Sequence, residues 1–191
     1  MKKKKGQYGY IKYKKTSNLL ITIAEFSVVI ILLLVGYFTT GSNKNVFTVI
    51  AILGCLPAAK ALVSFIVMIP YKSLPKEVKE EIKEKSQHVG LIYDLILTDK
   101  DKIMPVDAIA ISGSTVCGYA TNPKTDLERV TKDIKEVISN NGISGVTVKV
   151  FHEFKPFMTR VEGLSNIKAV DKSDTRELEN RIRKAILIIA M

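Results

Sequence analysis

Two apolar runs, residues 19–38 and 46–69, are separated only by the polar segment 39–45. A helix needs about 20 mostly apolar residues to cross the ~30 Å hydrocarbon core of a bilayer, and each run is that long. The pattern predicts a transmembrane helical hairpin, and every other reading of the chain has to accommodate it. About 120 residues follow the second run, enough for one small domain with its own core. The expected fold class is a two-helix transmembrane hairpin plus a small cytoplasmic α/β (α+β) domain. The expected divisions are a basic tail over 1–18, the hairpin over 19–69, a helical connector over 70–90 and the domain over 91–191.

The net charge of +10 is unevenly placed. The lysines Lys2, Lys3, Lys4, Lys5, Lys12, Lys14 and Lys15 crowd the first fifteen residues, which hold no acid. From residue 71 onward basic and acidic residues nearly balance, 20 against 18. This distribution fits membrane topology better than binding along a nucleic acid. Seven lysines before the first run against Lys44 alone in the loop place the tail inside by the positive-inside rule. Two spans return the chain to the same side, so both termini are expected in the cytoplasm, as in an inner membrane of bacterial type. The run after the tail is longer than a signal-peptide core and no A-x-A pattern follows it, so it reads as an uncleaved anchor. The tail lysines either serve topology alone or also contact anionic lipid headgroups, at about 1 kcal/mol per basic residue. Cys55 and Cys117 are about sixty residues apart and form neither a disulfide framework nor, with the two histidines, a metal motif.

Two charges interrupt the apolar runs. Each costs about 2.5–3.5 kcal/mol at a span centre on insertion scales. Folding the hairpin at Ser42 places Glu25 and Lys60 at nearly equal depth, so an ion pair between them is expected. Lys60 snorkelling along its own helix, Glu25 lying near the interface, or contact of either with another membrane protein are the alternatives. Pro57 is a potential kink. Gly54, Ala58 and Ala61 form a small-residue stripe for close helix packing, on the first helix or on a second copy.

After the membrane, Pro75 opens a charged helix whose thin apolar stripe is Val78 and Ile82. Residues 91–98, 106–111 and 115–121 read as three strands of an antiparallel meander. Pro105 suits a strand start, and residues 99–102 and 112–114 are turns. A helix is expected from Thr125, with Thr125 and Glu128 at capping-box spacing and Asn140-Asn141-Gly142 as its stop. A fourth strand over 146–152 returns parallel to the third. Residues 156–170 read as a loop with a short helix. Residues 174–191 read as a helix with Asp174 and Glu177 at capping-box spacing. Its apolar end, 185–191, has to be buried in the domain core, in the membrane or against a partner.

The order helix, three-strand meander, helix, strand over residues 75–152 resembles the core of the restriction-endonuclease-like superfamily, including membrane-associated nuclease-related domains. The resemblance implies a divalent-metal site with one acid on the second strand and an acid-x-lysine on the third. Asp107 matches the first position, but Thr115-Val116-Cys117-Gly118-Tyr119-Ala120 offers neither the acid nor the lysine. A site of that class would be dead here, since hard cations need converging oxygen ligands. Asp94 and Asp107 lie on adjacent strands and are read as strand acids. His88 and His152 have no nucleophile beside them, and no cofactor motif is recognisable. The expected function is a membrane-anchored cytoplasmic α/β domain for protein–protein interaction or scaffolding, with the lipid bilayer and an unidentified protein as partners. Homo-oligomers are compatible with it and nucleic acid is not favoured. A tethered nuclease-like domain and a small subunit of a membrane complex are the alternatives.

Overall fold

The computed structural model describes residues 3–42, 45–99, 102–171 and 174–191. The chain forms two compact units. One is the hairpin unit Ile11–Lys72, and the other joins the N-terminal segment through Tyr10 to Ser73–Met191.

The hairpin unit holds helices α1 (Tyr10–Thr40) and α2 (Val46–Met68). Both are long and apolar enough to cross a membrane. Helix α1 begins nine residues before its apolar run, so Lys12, Lys14 and Lys15 lie on helix rather than in a free tail. Asn45 caps α2, its side chain accepting a hydrogen bond from Thr48 N at 2.8 Å. Helix α2 continues through Pro57.

The second unit is an α+β domain. Helix α3 (Lys76–Lys85) precedes strands β1 (Gly90–Asp99), β2 (Lys102–Ser112) and β3 (Thr115–Tyr119). Helix α4 (Leu127–Asn140), strand β4 (Thr147–Phe151) and helices α5 (Phe154–Val170) and α6 (Arg176–Ile189) complete it. The sheet order is β1-β2-β3-β4, antiparallel except for the parallel β3–β4 pair. Its two faces carry two separate cores. Val130, Ile134 and Ile138 of α4 and Ile182, Ala185 and Ile186 of α6 cover one face, meeting Ile109, Ile111, Val116 and Val150. Ile82 of α3 and Phe157, Met158, Val161 and Leu164 of α5 cover the other.

Several boundaries differ from expectation. Strand β2 extends back to Lys102 despite Pro105, because β3 pairs only with Ala108–Ser112 and the missing N–H faces no second strand there. Residues 156–170 are not a loop but most of α5. Pro156 falls in its first turn, where an N–H has no intrahelical partner to lose. The cap of α4 is Asp126, which accepts from Arg129 N at 3.1 Å, whereas Thr125 is buried and donates to Pro105 O. Thr175 rather than Asp174 is the N-cap residue of α6. The apolar end of α6 packs in the domain through Ala185, Ile186 and Ala190, whereas Ile188 is exposed, so the end is not buried all round as expected. Ala190 bridges Leu97 in antiparallel fashion and Met191 N donates to Ile96 O at 2.9 Å.

The N-terminal segment is also part of this unit. Tyr93 N donates to Gly6 O at 3.0 Å, and Lys5 Nζ donates to Ala190 O at 2.7 Å. The Tyr8 ring stands edge-on to Tyr93, and its hydroxyl donates to Leu74 O at 2.8 Å. Residues from both ends of the sequence thus cover the outer edge of β1. Gly6 has φ +80 and its missing side chain leaves room for Ile92, since a Cβ would lie 2.7 Å from Ile92 Cγ2.

Candidate functional site

The hairpin carries two charges, Glu25 and Lys60, among apolar residues. On α1 the buried and half-buried positions Asn18, Thr22, Glu25, Val29, Leu32 and Gly36 recur every three or four residues. On α2 Ala51, Gly54, Ala58, Ala61, Phe65 and Met68 do the same. That alternation is the seam of two packed helices. Gly54 meets Val29, where a Cβ would lie 3.2 Å from Val29 Cγ2, and Asn18 Nδ2 reaches Met68 Sδ at 3.9 Å. The stripe Gly54, Ala58 and Ala61 therefore serves packing inside the hairpin.

This register corrects the expected ion pair. Counting from Val29 opposite Gly54 and Asn18 opposite Met68, Glu25 is level with the turn Ala58–Ala61, which includes Lys60. The depths agree, but the faces do not. Glu25 lies on the seam, half-buried, and its Oε2 is buried with no hydrogen-bond partner among the described residues. Lys60 lies off the seam and is exposed, between Leu56 at 70% and Val63 at 58% exposure. No salt bridge joins them among the described residues.

The tail lysines are partly occupied as well. Lys3 Nζ donates to Tyr8 O at 2.6 Å, Lys5 to Ala190 O, and Lys15 Nζ to Ile69 O at 2.6 Å. Lys4 and Lys12 are exposed and Lys14 is half-buried. Lys2 lies outside the described residues.

In the domain, the acids singled out from the sequence do not build a metal centre. The β1–β2 register places Asp94 and Asp107 across from each other, between the pairs Tyr93–Ala108 and Leu95–Val106. Asp94 has φ +55, a left-handed conformation that aspartate tolerates better than a β-branched residue. Both strands change face at this point. Ile92 and then Leu95 and Leu97 enter the α4/α6 core on β1, and Met104, Val106 and then Ile109 and Ile111 enter it on β2. A strand that kept strict alternation would put Leu95 on the opposite face. Each carboxylate has its own partner: Ser73 Oγ donates to Asp94 Oδ2 at 2.6 Å, and Thr121 N donates to Asp107 Oδ2 at 2.6 Å. Among the described residues no group of three or more His, Cys, Asp or Glu is placed to hold a metal ion. His152 Nδ1 contacts Ala120 O at 2.9 Å, and His88 lines a cleft of about 760 Å³ between α5 and α6.

Burial pushes the Asp107 carboxyl above the ordinary carboxylate range, and the bonds from Thr121 oppose this in part. The folded chain then holds this proton to higher pH than the unfolded chain does. Stability contributed by the protonated form is present below about pH 4 and declines as the pH rises through the folded pKa. Asp107→Asn is expected to flatten that decline. Urea midpoints taken at steps from pH 3.5 upward check it, and parallel curves for the two proteins would refute it.

Sequence reasoning missed Glu179. Its Oε1 accepts from Gly113 N at 2.7 Å and from Thr175 Oγ1 at 2.9 Å, and it pairs with Lys168. One carboxylate thereby ties the β2–β3 turn to α5 and α6. Only the i, i+4 spacing of Thr175 and Glu179 hinted at it.

A further feature lies at the other edge of the sheet. Among the described residues β4 pairs with β3 alone. Thr147 N and Phe151 O bond to the β3 side, at 2.9 Å to Ser114 O and 3.0 Å from Ala120 N. Strand alternation turns the backbone groups of Val148 and Val150 outward. They open into a groove of about 670 Å³ beside α4, whose charged lining is Lys132, Lys135 and Lys149 together with Glu128 and Glu136. Comparison of the chain with protein-family models, curated proteins and solved structures finds no match.

Proposed function

We propose that this protein is a two-pass membrane-anchored interaction module, with the segment before α1 and the domain after α2 on the cytoplasmic side. The two helices long enough to cross a bilayer support the anchoring, and the lysine crowding before α1 supports the orientation. The observation that carries the interaction reading is the open β4 edge and its groove. An exposed edge is a template for one more strand. The occupant that fits is an extended acidic segment of a partner protein. Its backbone pairs with Val148 and Val150, and its carboxylates meet Lys132, Lys135 and Lys149, which outnumber Glu128 and Glu136 in the groove. A second β4 fits less well, because antiparallel pairing centred on Lys149 would set two lysines against each other.

The nuclease-like alternative gains no converging ligands from Asp94 and Asp107, so no reaction is proposed. The test uses the full chain in mild detergent and a synthetic extended peptide with alternating glutamate and valine. Binding is expected for the wild-type chain, with slowed amide exchange at Val148 and Val150. The variant Lys132→Glu with Lys135→Glu and Lys149→Glu is expected to lose it by about tenfold or more. Equal binding by both chains, or unchanged exchange at the two valines, refutes the reading.

A further inference from the structure

The hairpin carries opposite charges that are level with each other yet face different ways. Glu25 sits on the seam with Oε2 buried and unpartnered among the described residues, and Lys60 stands on the outer face. Among the described residues nothing within the hairpin satisfies either charge. Lys60 lies nine residues from Ile69, about 14 Å along the helix. That is beyond the reach of a four-carbon stem, so it does not snorkel to that end.

We infer that the protein self-associates in the membrane as a two-fold dimer, with Lys60 of each copy paired to Glu25 of the other. This rests on the membrane-spanning reading above. A two-fold axis along the membrane normal keeps every residue at its own depth. It therefore brings Lys60 of the second copy level with Glu25 of the first, and the reverse contact forms at once. Among the described residues 19–42 and 45–69 these are the only charged side chains, one acid and one base, so the set is self-complementary. One acid on an unrelated helix would satisfy Lys60 and leave Glu25 alone. The outer face of α2 that carries Lys60, with Leu53, Leu56 and Val63 each more than half exposed, supplies the apolar contact around the pair. Glu25 is half-buried as a residue, and in the dimer its carboxylate turns to the groove between α1 and α2 to meet Lys60 of the other copy. Charges inside a bilayer are kept where they pair, and pairing between copies is the arrangement open to this hairpin.

The test pairs variants across copies. Full chains carrying donor or acceptor fluorophores are reconstituted into neutral phosphatidylcholine vesicles. Flotation after alkaline carbonate extraction is scored first, because a wild-type chain that does not float refutes the membrane reading and the dimer with it. Inserted wild-type chains are expected to show energy transfer. Glu25→Lys alone and Lys60→Glu alone each set like charges together in a homodimer, and are expected to lose association by about tenfold or more. A mixture of Glu25→Lys chains with Lys60→Glu chains restores both pairs in trans and is expected to recover it. Should either reversed charge prevent insertion, the neutral variants Glu25→Gln and Lys60→Met replace them, each expected to weaken transfer. Inserted wild-type chains without transfer, transfer that survives the single variants, or a mixture that fails to recover overturn the inference.

Discussion

Phe157→Ala is expected to cost about 3–5 kcal/mol, the usual loss for truncating a buried aromatic side chain. Phe157 is the largest fully buried side chain among the described residues and lies in the core that α5 and α3 form on the sheet. Its ring stacks on Tyr119 at 5.4 Å between centroids, and Met158, Val161 and Leu164 pack around it. These residues share one helix, so a void at Phe157 weakens the attachment of all of α5. Domains of this size are stable by about 5–15 kcal/mol in all, so the loss is a large share of the total. The chain has no tryptophan, and the near-UV dichroism of its tyrosines, Tyr119 among them, reports this core directly. The urea midpoint by that signal is expected to fall sharply. A midpoint within experimental error of the wild type would mean that α5 does not cover this face.

Glu179→Ala is the second large effect, about 2–3 kcal/mol. The carboxylate side chain is 12% exposed and that of Lys168 is 21% exposed. Removing the acid leaves the Lys168 ammonium and the Gly113 N–H without their acceptor, and the loss of a charged partner in a nearly buried site exceeds the value of an ordinary hydrogen bond. Glu179→Gln keeps an acceptor for Gly113 and Thr175 and is expected to cost about half as much. Amide exchange separates this from general loosening. Gly113 N–H is expected to exchange faster in the alanine variant than in the glutamine variant, and identical rates in both would refute the role given to the carboxylate.

Periodicity carried the helical hairpin, the meander and the parallel return, because each element repeats one pattern long enough to be read locally. Helix α5 was obscured by Pro156 and Gly163, which break the surface of the pattern, although Phe157, Val161 and Leu164 keep the spacing of one buried face. Asp94 was not legible as the point where β1 and β2 change face, since a single left-handed residue leaves no periodic trace. The hairpin shows the limit more sharply. Counting residues from Ser42 fixes the depths of Glu25 and Lys60, but depth is one coordinate. The direction each side chain takes depends on which stripe becomes the seam, and the run Ala51, Gly54, Ala58, Ala61 excludes Lys60 from it. Glu179 joins the nearby Thr175 and Lys168 to Gly113, 66 residues away, and no spacing rule reaches that last partner.

The cover of the β1 edge has a consequence for the order in which the protein is made. Gly6 is synthesised before the hairpin, and Ala190, which bridges Leu97, is among the last residues of the sequence. A ribosome adding about 5–20 residues each second needs roughly 6–24 seconds to go from the end of α2 to Ala190. Throughout that interval the sheet lacks its final edge contact while both apolar helices are already complete. Formation of the two apolar helices is thereby given a head start over closure of the domain, and the early segment waits for the late one to lock beside it.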